Sequence, residues 1–202
     1  MNQLFYHLSK AFEVIPLKVF AYVTKQKVIF PFYHLVSNND VIHVKHLYKI
    51  RSTNSFKQDL DFFLKHYNAI GYHEYKKYLS NGHLPKNSFL LSFDDGLKEF
   101  HDIIAPILKQ KGVPAVCFLN SGFIDNRDLF FRYKASILIE VLRRDKISQH
   151  LEKAVKNWFQ QKNLKYDHQF NSLLSVNYTN RAYLDELANL IGYSFRDYLQ
   201  TN

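Results

Sequence analysis

Cysteine occurs once in the 202 residues, at Cys117, and tryptophan and methionine once each. A single thiol rules out an intrachain disulfide framework and makes a reducing, cytoplasmic setting the default expectation. Glycine (6) and proline (5) are sparse, which excludes a collagen-like or low-complexity chain, and 47% hydrophobic content predicts a globular protein with a sizeable core. No stretch reaches the ~18 apolar residues that a membrane span needs. Near the start, Leu4, Phe5, Leu8, Phe12, Ile15 and Leu17 are interrupted by charged residues before a signal-like run can build. Surface association of the first 24 residues with a membrane stays open. The net charge is +9, with 15 basic and 9 acidic residues in 1–120 against 12 and 9 in 121–202. Lys76-Lys77 and Arg143-Arg144 are the only adjacent basic pairs, so no phosphate-tracking stripe forms and nucleic acid is not an expected partner.

What is present is concentrated in Ser88-Phe89-Leu90-Leu91-Ser92-Phe93-Asp94-Asp95-Gly96. A short apolar run of this kind reads as a buried strand of a parallel sheet. Residues 98–111 read as an amphipathic helix with Phe100, Ile103, Ile104, Ile107 and Leu108 on one side. Asp94 and Asp95 then fall at the carboxyl end of a strand, where α/β folds bind ligands. Adjacent ionised carboxylates repel, so a cation between them or a shared proton explains their pairing. A plain polar turn explains it too, because Asp-Gly is ordinary turn chemistry.

Alternation of strand and helix runs through the first 120 residues. Helices are expected within 2–24, broken near Pro16, and the first strand over 28–36. Ser55-Phe56-Lys57-Gln58 reads as a capping box opening a helix that turns Phe56, Leu60, Phe63 and Leu64 inward. A helix over 72–79 and a strand over 115–119 follow, with Cys117 expected as a small buried hydrophobe. Beyond 120 only helices are expected, over 128–144, 148–161 and 181–191. They read either as a lid over the active edge or as a cap covering exposed sheet.

Four ordered segments resemble the polysaccharide deacetylases, the NodB-like family also called carbohydrate esterase family 4. Ser92-Phe93-Asp94-Asp95-Gly96 is similar to the family's first motif. Phe30-Pro31-Phe32-Tyr33-His34 is similar to the Tyr-His that ends its first barrel strand, and Phe62 to Tyr67 to the helix that follows. Lys111 to Leu119 is similar to its second signature strand. Residues 123–135 also resemble a subgroup that inserts helices here.

The resemblance implies an α/β fold: a partial, deformed (β/α) barrel over 28–125, preceded by a helical extension at 1–27 and followed by a helical insert or cap at 126–202. It implies a metal-dependent hydrolase removing N-acetyl or other acyl groups from a polysaccharide or oligosaccharide. Asp94 would be the catalytic base and Asp95 a ligand of a divalent metal, zinc being the expected one. His34, ending a strand at the same edge, would bind substrate, or else be a core histidine bonded to backbone. The family's second motif supplies two histidines five positions apart, and none of the ten histidines here has that spacing. Zinc asks for three protein ligands and an open position, so the metal site is incomplete. The expectation is an N-terminal part truncated before the histidine motif, its activity alone in doubt. The alternative is a non-catalytic carbohydrate-binding or partner-binding remnant. His43 and His46 are weaker candidates for the missing ligands, and Phe130, Phe131 and Tyr133 would stack a sugar or form core, core being the simpler reading.

Overall fold

The computed structural model describes residues 17–83, 85–144 and 148–201, so the helix expected within residues 2–16 lies outside them. The chain divides into two units, Met1–His34 with Asn54–Phe118, and Leu35–Thr53 with Leu119–Asn202.

The first unit is mixed α/β. A helix α1 (Leu17–Thr24) precedes strands β1 (Val28–Ile29) and β2 (Phe32–Tyr33). The single strand expected over 28–36 is thus interrupted at Phe30-Pro31, since proline has no N–H to give to a ladder. Helix α3 (Thr53–His66), β3 (Asn68–Ala69), helix α4 (Tyr72–Ser80), β4 (Ser88–Phe89) and β5 (Leu91–Asp95) follow, with the short helix α2 (Ile42–Lys45) lying in the intervening segment of the other unit. A π-type turn, Phe100–Ile104, then leads into α5 (Ala105–Lys111) and β6 (Ala115–Leu119). The wide turn has a cause in Pro106, which can neither donate to the carbonyl four residues back nor approach it closely. Gly112 ends α5 at φ 64°, and Val113 N–H donates to the Leu108 carbonyl at 3.0 Å.

The strands form two three-stranded sheets, ordered β1-β4-β3 and β2-β5-β6. Pairing is parallel between β1 and β4, β2 and β5, and β3 and β4. Val28 faces Ser88 and Tyr33 faces Phe93, so the partner lies 60 positions on in both pairs (88 minus 28, 93 minus 33). One register therefore runs through the break at Pro31. Neither sheet closes on itself among the described residues: β1 and β3 flank β4 without a further neighbour, whereas a barrel gives every strand two.

Alternation along β5 buries Leu91 and Phe93 on one face and leaves Ser92 and Asp94 half-buried on the other. Helix α3 covers the first face: Phe56 and Leu60 are fully buried, Phe56 meets Phe93 edge-on at 6.0 Å, and Phe63 lies 5.4 Å from Phe89. Leu64, expected inward, is 40% exposed. The helix also starts two residues before the expected capping box, because the Asn38 side-chain oxygen accepts from both the Thr53 N–H and its hydroxyl at 3.0 Å. Away from α3, Val28, Ile70 and Leu90 form a small buried cluster with Val116 and with Tyr75 of α4. Cys117, expected to be buried, is only partly so, because β6 is an edge strand with its two ends exposed.

The second unit has its own core. Helices α6 (Phe131–Arg144), α7 (Gln149–Gln161), α8 (Ala182–Leu190) and α9 (Phe195–Thr201) join α2, with no strand among the described residues after β6. Helix α6 is buried all round from Tyr133 to Ile139, as befits a central helix. Leu138, Ile139, Val155, Phe159, Leu173, Leu184 and Leu187 pack together there. Helix α6 begins three residues later than expected, since Asp128 folds back to accept from the Leu129 N–H at 2.8 Å and from Lys134. No helix of the described residues is long and apolar enough to cross a membrane.

Candidate active site

The register that matches Tyr33 with Phe93 carries on by one residue to set His34 beside Asp94. Both then point to the face opposite the α3 helix. The His34 Nε2 to Asp94 Oδ2 distance is 4.0 Å, too long for a hydrogen bond and short enough for attraction when the imidazole is charged. Each side chain is between a third and two fifths exposed, so water and a solute can reach the pair. Phe32, two residues before His34 on the same face, brings its ring to 5.9 Å from the imidazole and is itself 63% exposed.

At the end of β5 the backbone turns sharply. Asp95 has φ 73° and Gly96 φ 68°, two successive residues in the left-handed region. Glycine enters that region freely, and aspartate is among the few other residues found there. The turn takes Asp95 off the regular alternation of the strand. Cys117 on the neighbouring strand senses both. Burial first and the Asp94 charge second push its thiol pKa up, the Gly96 backbone N–H pulls it back, and Asp95 adds a smaller upward push.

The anchor beneath the pair was not foreseen from the sequence. Tyr33 stacks on Phe93 at 5.8 Å, meets Phe56 edge-on at 5.1 Å, and donates its hydroxyl hydrogen to Asp59 Oδ2 at 3.0 Å. Phe56 and Asp59 are three apart on α3 and therefore share a helix face, which is the one signal the sequence offered.

The other candidates have structural employment. His43 Nδ1 lies 3.0 Å from the Tyr198 hydroxyl, its ring packs on Tyr133, and burial lowers its pKa to about 4. His46 Nε2 is 3.0 Å from Glu140 Oε2, and Lys45 Nζ is 3.3 Å from Glu140 Oε1. Burial raises the Glu140 pKa, but those hydrogen bonds outweigh it and the net shift is downward. Tyr133 is buried, with Phe130 5.5 Å away and edge-on to it, and Phe130 likewise meets Phe131 at 4.7 Å, an arrangement of core rings.

A divalent cation needs several oxygen, nitrogen or sulfur donors converging on one point. Among the described residues, no three His, Cys, Asp or Glu side chains are grouped so as to hold one. His34 lies 4.0 Å from Asp94, and Asp95 sits in the left-handed turn that follows. The donor set described does not fit a metal by itself.

A family model described as polysaccharide deacetylase matches residues 81–179, just under half of the chain. Among solved structures, the chain is similar to the Streptococcus pyogenes deacetylase PplD in complex with acetate, with 16% identity over 80% of each chain and a TM-score of 0.43. It is similar also to IcaB from Ammonifex degensii, with 16% identity over 83% of this chain and 82% of that one, again at a TM-score of 0.43. No curated protein matches.

Proposed function

We propose, from the premise that residues 81–179 of this chain belong to the polysaccharide deacetylase family, that the end of β5 is a site for hydrolysing N-acetyl or other acyl groups on carbohydrate. The family's reaction is hydrolysis of carbon–nitrogen bonds other than peptide bonds. We read the two open sheets as part of an incomplete (β/α) barrel, with the site at the carboxyl edge of its strands.

In this reading Asp94 is the general base. Its carboxylate takes a proton from a water molecule as that water's oxygen attacks the acyl carbonyl carbon. The carbon–nitrogen bond then breaks, the nitrogen leaves as the sugar amine after gaining a proton, and the acyl group leaves as acetate or its homologue. His34 holds the sugar at the same edge, its ring nitrogen able to donate to or accept from a hydroxyl. Asp95 would hold the divalent cation that the family uses, and the described residues do not complete its ligand set. The observation that supports the assignment is the 4.0 Å approach of His34 to Asp94 on an accessible face.

The test is acetate release from an N-acetylated oligosaccharide, with Asp94→Asn as the deciding variant. Release that falls to background in Asp94→Asn supports the base. Release unchanged in that variant removes it. A second reading, in which the chain binds acylated carbohydrate without cleaving it, draws support from the lack of three grouped cation ligands among the described residues. It expects no acetate release with any divalent cation added, together with oligosaccharide binding that survives Asp94→Asn.

A further inference from the structure

We propose that the Tyr33–Asp59 hydrogen bond is a positioning device, with Tyr33 and Asp59 fixing the separation of His34 and Asp94 from the opposite face of the sheet. The inference rests on the reading of Asp94 as the base.

Ladder bonds from the Ser88, Leu90 and Ser92 N–H groups to the Lys27, Ile29 and Pro31 carbonyls hold the chain up to β2, whose pairing ends at Tyr33, one residue before His34. The packing of Tyr33 adds a restraint at that end. Tyr33 is the residue before it and lies across from Phe93, the residue before Asp94. Successive strand residues point to opposite faces, so whatever clamps Tyr33 and Phe93 on the helix side fixes the peptides that carry His34 and Asp94 on the other. The clamp has two parts. The ring part is the stack of Tyr33 on Phe93 with Phe56 edge-on to both, at 5.8, 5.1 and 6.0 Å. The polar part is the Tyr33 hydroxyl donating to the Asp59 carboxylate at 3.0 Å, a charge-assisted bond in a partly buried place. Ring packing allows sliding in the ring plane, whereas a hydrogen bond at the tip stops it. The two together define where the strand end sits along α3.

The consequence is functional. A misplacement of about 1 Å in a reacting pair costs up to ~100-fold in rate. Asp59 is 25 positions from His34 in sequence and is assigned to neither face of the candidate site. One path from Asp59 to the site runs through the Tyr33 hydroxyl.

The experiment uses the full chain and three variants: Tyr33→Phe, Asp59→Ala and Asp59→Asn. Tyr33→Phe keeps the ring stack and loses the bond, and Asp59→Asn keeps an oxygen that accepts from the phenol. On an N-acetylated oligosaccharide, Tyr33→Phe and Asp59→Ala are expected to lower kcat roughly 10- to 100-fold with KM unchanged, and Asp59→Asn to restore it to within about 3-fold. Histidine ring NMR gives a readout independent of turnover. The His34 cross-peak should move in Asp59→Ala and return in Asp59→Asn, while that of His43 stays put. A kcat and a His34 cross-peak both unmoved by Asp59→Ala would overturn the proposal. If Asp94→Asn leaves acetate release intact, the base assignment fails instead, and the His34 cross-peak still decides whether the anchor acts.

Discussion

Ser88 carries the one hydroxyl of the central strands that is fully buried without a hydrogen-bond partner among the described residues. Burial of an unpaired hydroxyl costs about 1–3 kcal/mol. Ser88→Ala is therefore expected to leave stability unchanged or raise it by up to about 1 kcal/mol, read as an equal or higher denaturant midpoint. Gly96 is the opposite case. At φ 68° any Cβ is strained, so Gly96→Ala should lower stability by about 1–2 kcal/mol. His43 carries a pH dependence. Its folded pKa of about 4 lies below the ordinary 6.5, so the folded state resists protonation. Its contribution to stability is complete above pH 6.5 and is lost progressively as the pH falls to 4, by about 3 kcal/mol in all. Urea unfolding of His43→Leu beside the parent protein over that interval should show a flatter curve for the variant.

The elements were legible where periodicity was strong and one face was buried. The helix over 72–79 and the strand over 115–119 appear nearly as expected, and Val155, Trp158 and Phe159 face the core of α7 as their spacing implies. Several of the failures share a cause, which is a partner distant in sequence. Asn38 opens α3 at Thr53, where local reading had chosen Ser55. Tyr33 gains its role from Asp59 and Phe93, neither of which is visible in a run of five residues around His34. The closeness of His34 and Asp94 follows from a register, and a register cannot be read from either strand alone. Two element-level variants measure these contributions. Phe93→Ala empties the middle of the cluster of Tyr33, Phe56 and Phe100, and should cost about 3–5 kcal/mol in chemical denaturation. Ser148 caps α7 by accepting from the Leu151 N–H at 3.3 Å, and Ser148→Ala should cost about 1 kcal/mol by the same measurement.

For the whole molecule, composition anticipated a globular chain and the alternation of strand and helix an α/β one, and parallel pairing supports that class. Closure of the sheet was not legible, because a barrel is a property of the last strand meeting the first and leaves no mark on the strands already present. The open face has a colloidal consequence. Phe30, Phe32 and Phe118 are 48%, 63% and 58% exposed on strands β1 to β2 and β6, apolar surface held apart from its like by a net charge of +9. Salt screens that charge with a Debye length near 10 Å at 0.1 M and about 3 Å at 1 M. Sedimentation at rising salt should therefore show growing association, and Phe118→Lys should suppress it.

The solitary thiol offers a practical opening. Cys117 stands on the strand beside β5, close enough to Asp94 and Asp95 that their charges act on it, and it is partly accessible. A maleimide probe would attach at one place in the whole molecule without any prior mutagenesis. The raised pKa means coupling should quicken as the solution is made more alkaline. A reporter there would sense occupancy of the neighbouring carboxylates by whatever small molecule or ion they accept, turning an unremarkable residue into a gauge.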